Sequence, residues 1–220
     1  MKTNNTSIEV LIIALLAAPL IYLGLIWNQL PAEITTHYDL AGNANGWMPK
    51  KQAALFTVVI SLLLYLLLRY LPMIDPRKQL QTANYQKLRL MFTLLTSAIM
   101  SWVFYLANHS VSSESFVSVL MAIISVTIAG VGNYITTIKP NWFVGIRTPW
   151  TLDNEVVWRK THRMGGRLMV AGGIVSTVLA LLLPLAYKVG ITVSILLLVS
   201  FVPVVYSYIC FRQENAHRLN

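Results

Sequence analysis

The sequence predicts an all-α integral membrane protein with six transmembrane helices and both termini on the cytoplasmic side. Three observations carry that expectation. Of 220 residues, 56% are hydrophobic and only 11% are charged, whereas a soluble domain carries about 25% charged residues. Six apolar runs reach the ~20 residues that a helix needs to cross a hydrocarbon core. The lysines and arginines between those runs gather on one side of them.

The runs cover residues 8–27, 53–70, 88–107, 116–135, 168–187 and 190–211. The first begins after Lys2 and stays apolar from Val10 to Trp27. A cleavable signal has an apolar stretch of about 7–15 residues and ends at a small-residue site; this run is longer and has no clean site, so a retained helix is expected. Backbone groups in lipid must be satisfied internally, which leaves helices or closed barrels. Barrel strands are shorter and alternate polar with apolar residues; these runs do not. Pro19, Pro184 and Pro203 read as local kinks, and Gly165, Gly166, Ala171, Gly172 and Gly173 as a place where the fifth span approaches a neighbour closely.

Orientation follows from the basic residues. With the N-terminus inside, the inner segments hold Lys2, Arg69, Arg77, Lys78, Lys87, Arg89, Lys139, Arg147, Arg159, Lys160, Arg163, Arg167, Arg212 and Arg218. The outer segments hold only Lys50, Lys51 and Lys188. The positive-inside rule selects this arrangement. Trp27, Trp102 and Tyr187 then mark outer span ends, and Tyr70, Tyr134 and Tyr208 inner ones. The connection 71–87, with Pro72, Asp75 and Pro76, reads as a turn leading into a short interfacial helix.

Several functional classes are disfavoured. The net charge of +9 is spread in short segments between apolar runs, which suits anionic lipid and leaves no stripe for nucleic acid. Cys210 is the only cysteine, so no disulfide framework is expected. His37, His109, His162 and His217 lie in separate segments without ligand spacing, so neither a metal nor a cofactor is expected. No His-Glu-x-x-His helix, Gly-x-Ser-x-Gly elbow or pair of membrane aspartates is present, and an enzyme is not expected. A lipid-directed enzyme would have to use His162 with Glu155 or Asp153. Ion-coupled transport usually needs ionisable groups at mid-membrane, and the runs contain none; Glu9 and Arg69 sit at inner ends. A small transporter or exporter of peptide or lipid, with a polar cavity lined by Thr93, Ser97, Asn133 and Ser176, stays open as an alternative.

Two connections are informative. The outer one, 28–52, is dense in turn formers: Pro31, Gly42, Asn43, Asn45, Gly46 and Pro49 specify a compact, ordered loop. His37 and Tyr38 lie in a short extended stretch, with Asp39 close enough to orient the imidazole. A calcium loop around Asn43 and Gly46 fails, because its first and twelfth positions would be Ala41 and Gln52. His37, Asp39, Gly42 and Trp47 are the candidate recognition residues on this side. They serve either to close a rigid cap over the helix ends or to meet an extracellular peptide.

The inner connection, 136–167, begins with an ordered non-helical stretch, since Pro140, Gly145 and Pro149 forbid a regular helix. Trp142, Phe143, Ile146 and Trp150 are too apolar for a solvated linker and should pack beneath the bundle or at the interface, with Lys139 and Arg147 toward lipid phosphates. Asp153 or Asn154 can cap a following helix, with Glu155 in its first turn. Glu155, Arg159 and Arg163 form a charged face that allows a Glu–Arg pair, and Trp158, Thr161, His162 and Gly165 form another. The product is an amphipathic helix feeding the fifth span, either a topology anchor or a docking surface. Candidate docking residues are Lys139, Pro140, Asn141, Phe143, Gly145, Arg147, Thr148, Pro149, Trp150, Trp158, Lys160, His162 and Arg163.

Residues 138–166, Ile-Lys-Pro-Asn-Trp-Phe-Val-Gly-Ile-Arg-Thr-Pro-Trp-Thr-Leu-Asp-Asn-Glu-Val-Val-Trp-Arg-Lys-Thr-His-Arg-Met-Gly-Gly, resemble the signature of the SdpI family of bacterial immunity proteins. Leu30, Pro31, Ile34, His37, Gly42, Gly46, Trp47 and Lys50 resemble the domain of unknown function that precedes it in such proteins. The expected division is therefore 1–75, the first two spans with their outer loop, and 76–220, a four-span domain with the cytoplasmic signature. The resemblance implies a multi-pass protein of the bacterial plasma membrane that protects against a secreted toxin peptide. It also implies a signalling role, in which the occupied protein draws a small winged-helix repressor to the membrane.

Overall fold

The computed structural model describes residues 6–39, 42–80, 83–109 and 111–219, with side chains through 216. Lys2 and Ala41 lie outside the described residues, as do the side chains of His217 and Arg218. The elements in chain order are α1 (Thr6–Ile26), β1 (Glu33–Tyr38), β2 (Ala44–Pro49), α2 (Lys50–Ile74), α3 (Ala83–Asn108), α4 (Ser113–Ile135), α5 (Pro149–Asp153), α6 (Glu155–Leu182) and α7 (Leu185–Leu219). Six of the helices, all but α5, are long and apolar enough to cross a membrane. The expectation of a helical, six-span protein is met, with one two-stranded hairpin beside the helices.

The polarity of the bundle is that of a protein dissolved in lipid. Large apolar side chains such as Leu25, Leu55, Leu198, Phe201 and Val205 are exposed. Small hydroxyl residues are inside: Thr57, Ser61, Thr93, Ser97, Ser125, Thr161, Ser176, Thr192 and Ser207 are all buried. Lipid removes any penalty for exposing leucine, so close approach of backbones decides what lies between helices. α4 and α6 meet through such an approach. A Cβ on Gly132 would lie 2.8 Å from the Gly166 carbonyl oxygen, and one on Gly173 would lie 2.7 Å from that of Ser125. One residue round the helix, Gly165 and Gly172 turn toward α7, where Pro203 and Val199 occupy the space. Ala171, expected in the same contact, is exposed.

Two boundaries differ from the sequence-based expectation. No interfacial helix forms in 71–87 among the described residues. α2 instead carries Pro72 within it and ends at Ile74, and α3 begins at Ala83. The turn between them is organised by the buried Asp75, whose carboxylate accepts from the Gln79 N–H at 2.9 Å and the Arg77 N–H at 3.4 Å. Leu80 and Tyr85 are buried, which draws the polar stretch onto the bundle. The fifth span ends at Leu182 rather than 187, because Leu183 precedes Pro184 and adopts φ −75°, ψ 147°; a residue before proline is pushed out of the helical region. Tyr187 belongs to the first turn of α7.

Candidate functional site

The hairpin and the signature segment lie at opposite ends of the bundle: α4 begins against the hairpin and ends at the signature loop. At about 1.5 Å per residue, its 23 residues separate the two by about 34 Å.

At the first end, β1 and β2 pair antiparallel, with Ile34 opposite Met48 and His37 opposite Gly46, and with register shifts on both sides of His37. The extended stretch expected at His37 and Tyr38 is thus one strand of a hairpin. Ile34 and Leu30 anchor it in an apolar cluster with Leu23, Ile26, Ala53 and Phe104. Lys50 fixes its base, donating to the carbonyls of Trp27 at 3.0 Å and Leu30 at 3.2 Å. Tyr38 stacks on Phe116 of α4 with ring centroids 3.9 Å apart, and burial pushes its phenol above the usual range. Gly42 has φ +80°, and a Cβ there would meet the Ser113 carbonyl oxygen at 2.8 Å, so the tip fits against α4 only as glycine. His37 Nδ1 lies 3.1 Å from Thr36 Oγ1. The Asp39 carboxylate accepts from the Asn43 backbone N–H at 2.8 Å and from its side-chain amide at 3.2 Å, closing the tip. Trp47 is 57% exposed and stands away from the bundle.

Between the hairpin and α3, α4 and α7 lies a largely apolar cleft of about 390 Å³. His37, Tyr38 and Asp39 form its lip, and Trp102, Phe116 and Met121 are among the residues below. The Trp102 indole N–H is buried without a hydrogen-bond partner among the described residues. The structure therefore brings His37 and Asp39 together at one opening and leaves Trp47 outside it.

At the other end, the signature residues divide into an internal scaffold and an exposed rim. Asn141 is fully buried: its amide donates to the carbonyls of Lys139 at 2.9 Å and Val144 at 2.8 Å. Its oxygen accepts from the N–H groups of Phe143 at 2.8 Å and Val144 at 2.7 Å. His162, also fully buried, accepts at Nε2 from the Ile146 N–H at 2.9 Å, and its Nδ1 lies 2.8 Å from the Trp158 carbonyl. That arrangement requires the neutral ring with its proton on Nδ1. Trp158 stacks on His162 at 3.9 Å and donates its indole N–H to the Ile138 carbonyl at 2.7 Å. Gly145, at φ +129°, runs so close to this pair that a Cβ would lie 2.5 Å from His162 Nε2. Thr148 and Thr151 form a capping box at the start of α5, with Pro149 in its first turn. Asn154 caps α6 by accepting from the N–H groups of Val156 and Val157. Trp150 donates to Ser207 of α7 at 2.6 Å.

Lys139, Trp142, Arg147, Arg159, Lys160 and Arg163 form the exposed rim, while Pro140 and Phe143 are half-buried. Arg147 donates to the Trp142 carbonyl, and Lys160 pairs with Glu214 at 2.5 Å. The Glu155–Arg pair that the spacing allows is not among the ion pairs of the described residues. Asp153 and Glu155 are exposed whereas both His162 nitrogens are engaged by backbone, so no acid–base pair forms between them. Asn133 is exposed and does not join Thr93, Ser97 and Ser176 in the interior.

Two charged clusters escaped the sequence. Glu9 of α1 accepts from Arg69 of α2 and Arg89 of α3, each at 2.6 Å, and Arg89 is only 2% exposed. Lys188, 1% exposed, donates to Ser118 and lies 3.6 Å from Glu114. The available signal was the lone acid at the start of the first run, which needs a cation wherever lipid excludes water.

Fold and ends together define a six-span membrane protein closed at each end by ordered, non-spanning structure. Residues 137–209 match the SdpI/YfhL protein family, and residues 14–67 match a domain of unknown function, DUF1648. The chain is 25% identical to "Immunity protein SdpI" of Bacillus subtilis (strain 168) over 218 residues, which cover 99% of this chain and 100% of that relative. The matches fall where the two signature segments lie, and the six spans with these likenesses make the chain a multi-pass bacterial membrane protein. These likenesses support membrane immunity. No solved structure matches it significantly.

Proposed function

We propose that the chain is a membrane immunity protein that meets a secreted toxin peptide at its hairpin end and, once occupied, draws a small winged-helix repressor to its signature end. The observation that carries this reading is the placement of α4. Its first turns hold the hairpin and line the cleft through Phe116 and Met121. Its last turn delivers the signature loop, and its glycine seam joins it to α6. A peptide entering the cleft bears on the start of this helix, and any displacement is passed to the rim around Lys139 and Arg147. The ligand shifts the equilibrium only by its difference in affinity for the two arrangements.

The test uses cells without their own immunity protein, challenged with secreted peptide toxin and carrying a reporter under repressor control. The intact chain is expected to raise survival above vector and to induce the reporter. At equal abundance, His37→Ala lowers survival, while Arg147→Ala keeps survival and loses induction. Survival no better than vector for the intact chain sinks immunity; survival without induction removes the signalling half.

A further inference from the structure

Arg159, Arg163 and Arg167 recur every fourth residue of α6, so they stack along one helical face about 6 Å apart. All three are exposed, and with Lys160 and Thr136 they line a groove of about 630 Å³ beside the end of α4. None of the three has an ion-pair partner among the described residues; the nearby carboxylate of Glu214 is taken by Lys160. Like charges stacked without anions repel one another, which is tolerable only where something else supplies negative charge.

Depth indicates what supplies it. The apolar part of α6 begins at Leu168, so Arg167 sits at the hydrocarbon boundary. Arg159 lies about 12 Å farther out along the helix. The headgroup layer on each side of a bilayer is about 5–8 Å thick, so the lower two arginines span it. A soluble protein would have to enter that layer to reach Arg167, whereas lipid phosphates are already there. Two neighbouring guanidinium groups can hold one phosphate through bidentate bonds, and the third then has room for a second phosphate.

We propose that this groove binds the headgroup of an anionic phospholipid, with preference for one carrying two phosphates. The groove shares Arg159, Lys160 and Arg163 with the exposed rim, but its test needs neither toxin nor repressor. It is tested on the purified full chain by native mass spectrometry in detergent, with tetraoleoyl cardiolipin, dioleoyl phosphatidylglycerol, dioleoyl phosphatidylcholine and sodium phosphate as separate probes. Retention is expected in that descending order among the lipids, with no displacement by sodium phosphate at equal concentration. Each arginine contributes about fivefold to attraction for an anionic headgroup, so Arg159→Gln/Arg163→Gln/Arg167→Gln together should lower cardiolipin retention by about a hundredfold. Arg163→Gln alone should lower it about fivefold, which keeps the test alive if the triple variant does not purify. Lys51→Gln/Lys78→Gln/Arg212→Gln removes the same charge from exposed positions elsewhere and should leave retention within about twofold of the unchanged chain. Equal losses in both triples reduce the effect to net charge, and displacement by sodium phosphate makes it a site for free anions. Unchanged retention leaves the stripe to a protein partner. Each of these three results overturns the proposal.

Discussion

Asn141 shows how a surface-looking polar residue becomes structural. Its side chain makes four backbone hydrogen bonds within the six residues 139–144 and so holds the loop that Pro140 and Gly145 bar from helix. Asn141→Asp changes almost no volume but turns a carboxylate oxygen toward the carbonyls of Lys139 and Val144. The variant should insert in the membrane normally and lose about 1–3 kcal/mol of stability, the cost of a buried hydrogen-bonding group left without its partner. Thermal unfolding in detergent micelles, followed by tryptophan fluorescence, checks this; an unchanged Tm refutes it. Proline, glycine and aromatic residues told that this stretch is ordered. They did not tell which polar side chains turn inward: Asn141 and Thr148 bond to near neighbours, but His162 meets the Ile146 N–H, 16 positions away, only once the loop has closed on α6. Glu9, Arg69 and Arg89 were hidden for the same reason. Their pairing joins residues 60 and 80 positions apart, and no local pattern reports it.

Elements were more legible than residues, since a span is a local property of composition. Each apolar run became a helix, and the amphipathic stretch from Glu155 became the first turns of α6 without a break. The ends were harder: Pro72 did not stop α2, where the Leu68 carbonyl that its missing N–H leaves free accepts from the Tyr85 hydroxyl at 2.8 Å, whereas Pro184 did separate α6 from α7. The glycines of α6 were visible as a small-residue cluster, but their division between α4 and α7 is set by helix rotation. That division makes a prediction. Gly173→Val drives a side chain into the Ser125 carbonyl and the Ala129 backbone, and should cost about 1–3 kcal/mol through overpacking. Gly190→Val, where a Cβ meets nothing within 4 Å, should stay within about 0.5 kcal/mol. Tm values in the same detergent compare the two; equal shifts would mean that the seam is not where the helices are held.

At the scale of the whole molecule, the two ends are held by different means. The hairpin end uses an apolar cluster, a tyrosine stack and one lysine on two carbonyls. The signature end uses buried hydrogen bonds and the Glu9 ion pairs. The imbalance in basic residues follows that division, and it predicts which end meets the cytoplasm. Lys50 is consumed by the hairpin and Lys188 by Ser118 and Glu114, which leaves Lys51 as the one exposed cation of that end among the described residues. The signature end presents Lys78, Lys87, Lys139, Arg147, Arg159, Lys160, Arg163, Arg167 and Arg212. Translocating that end would carry these nine exposed cations across the bilayer, so the hairpin end is expected outside. In a Cys210→Ser background, Asn45→Cys and Asp153→Cys place single thiols at exposed positions of the two ends. A membrane-impermeant maleimide should label the first in intact cells and the second only after permeabilisation. Labelling of Asp153→Cys in intact cells would invert the molecule, and with it the assignment of the apolar cleft to a ligand from outside.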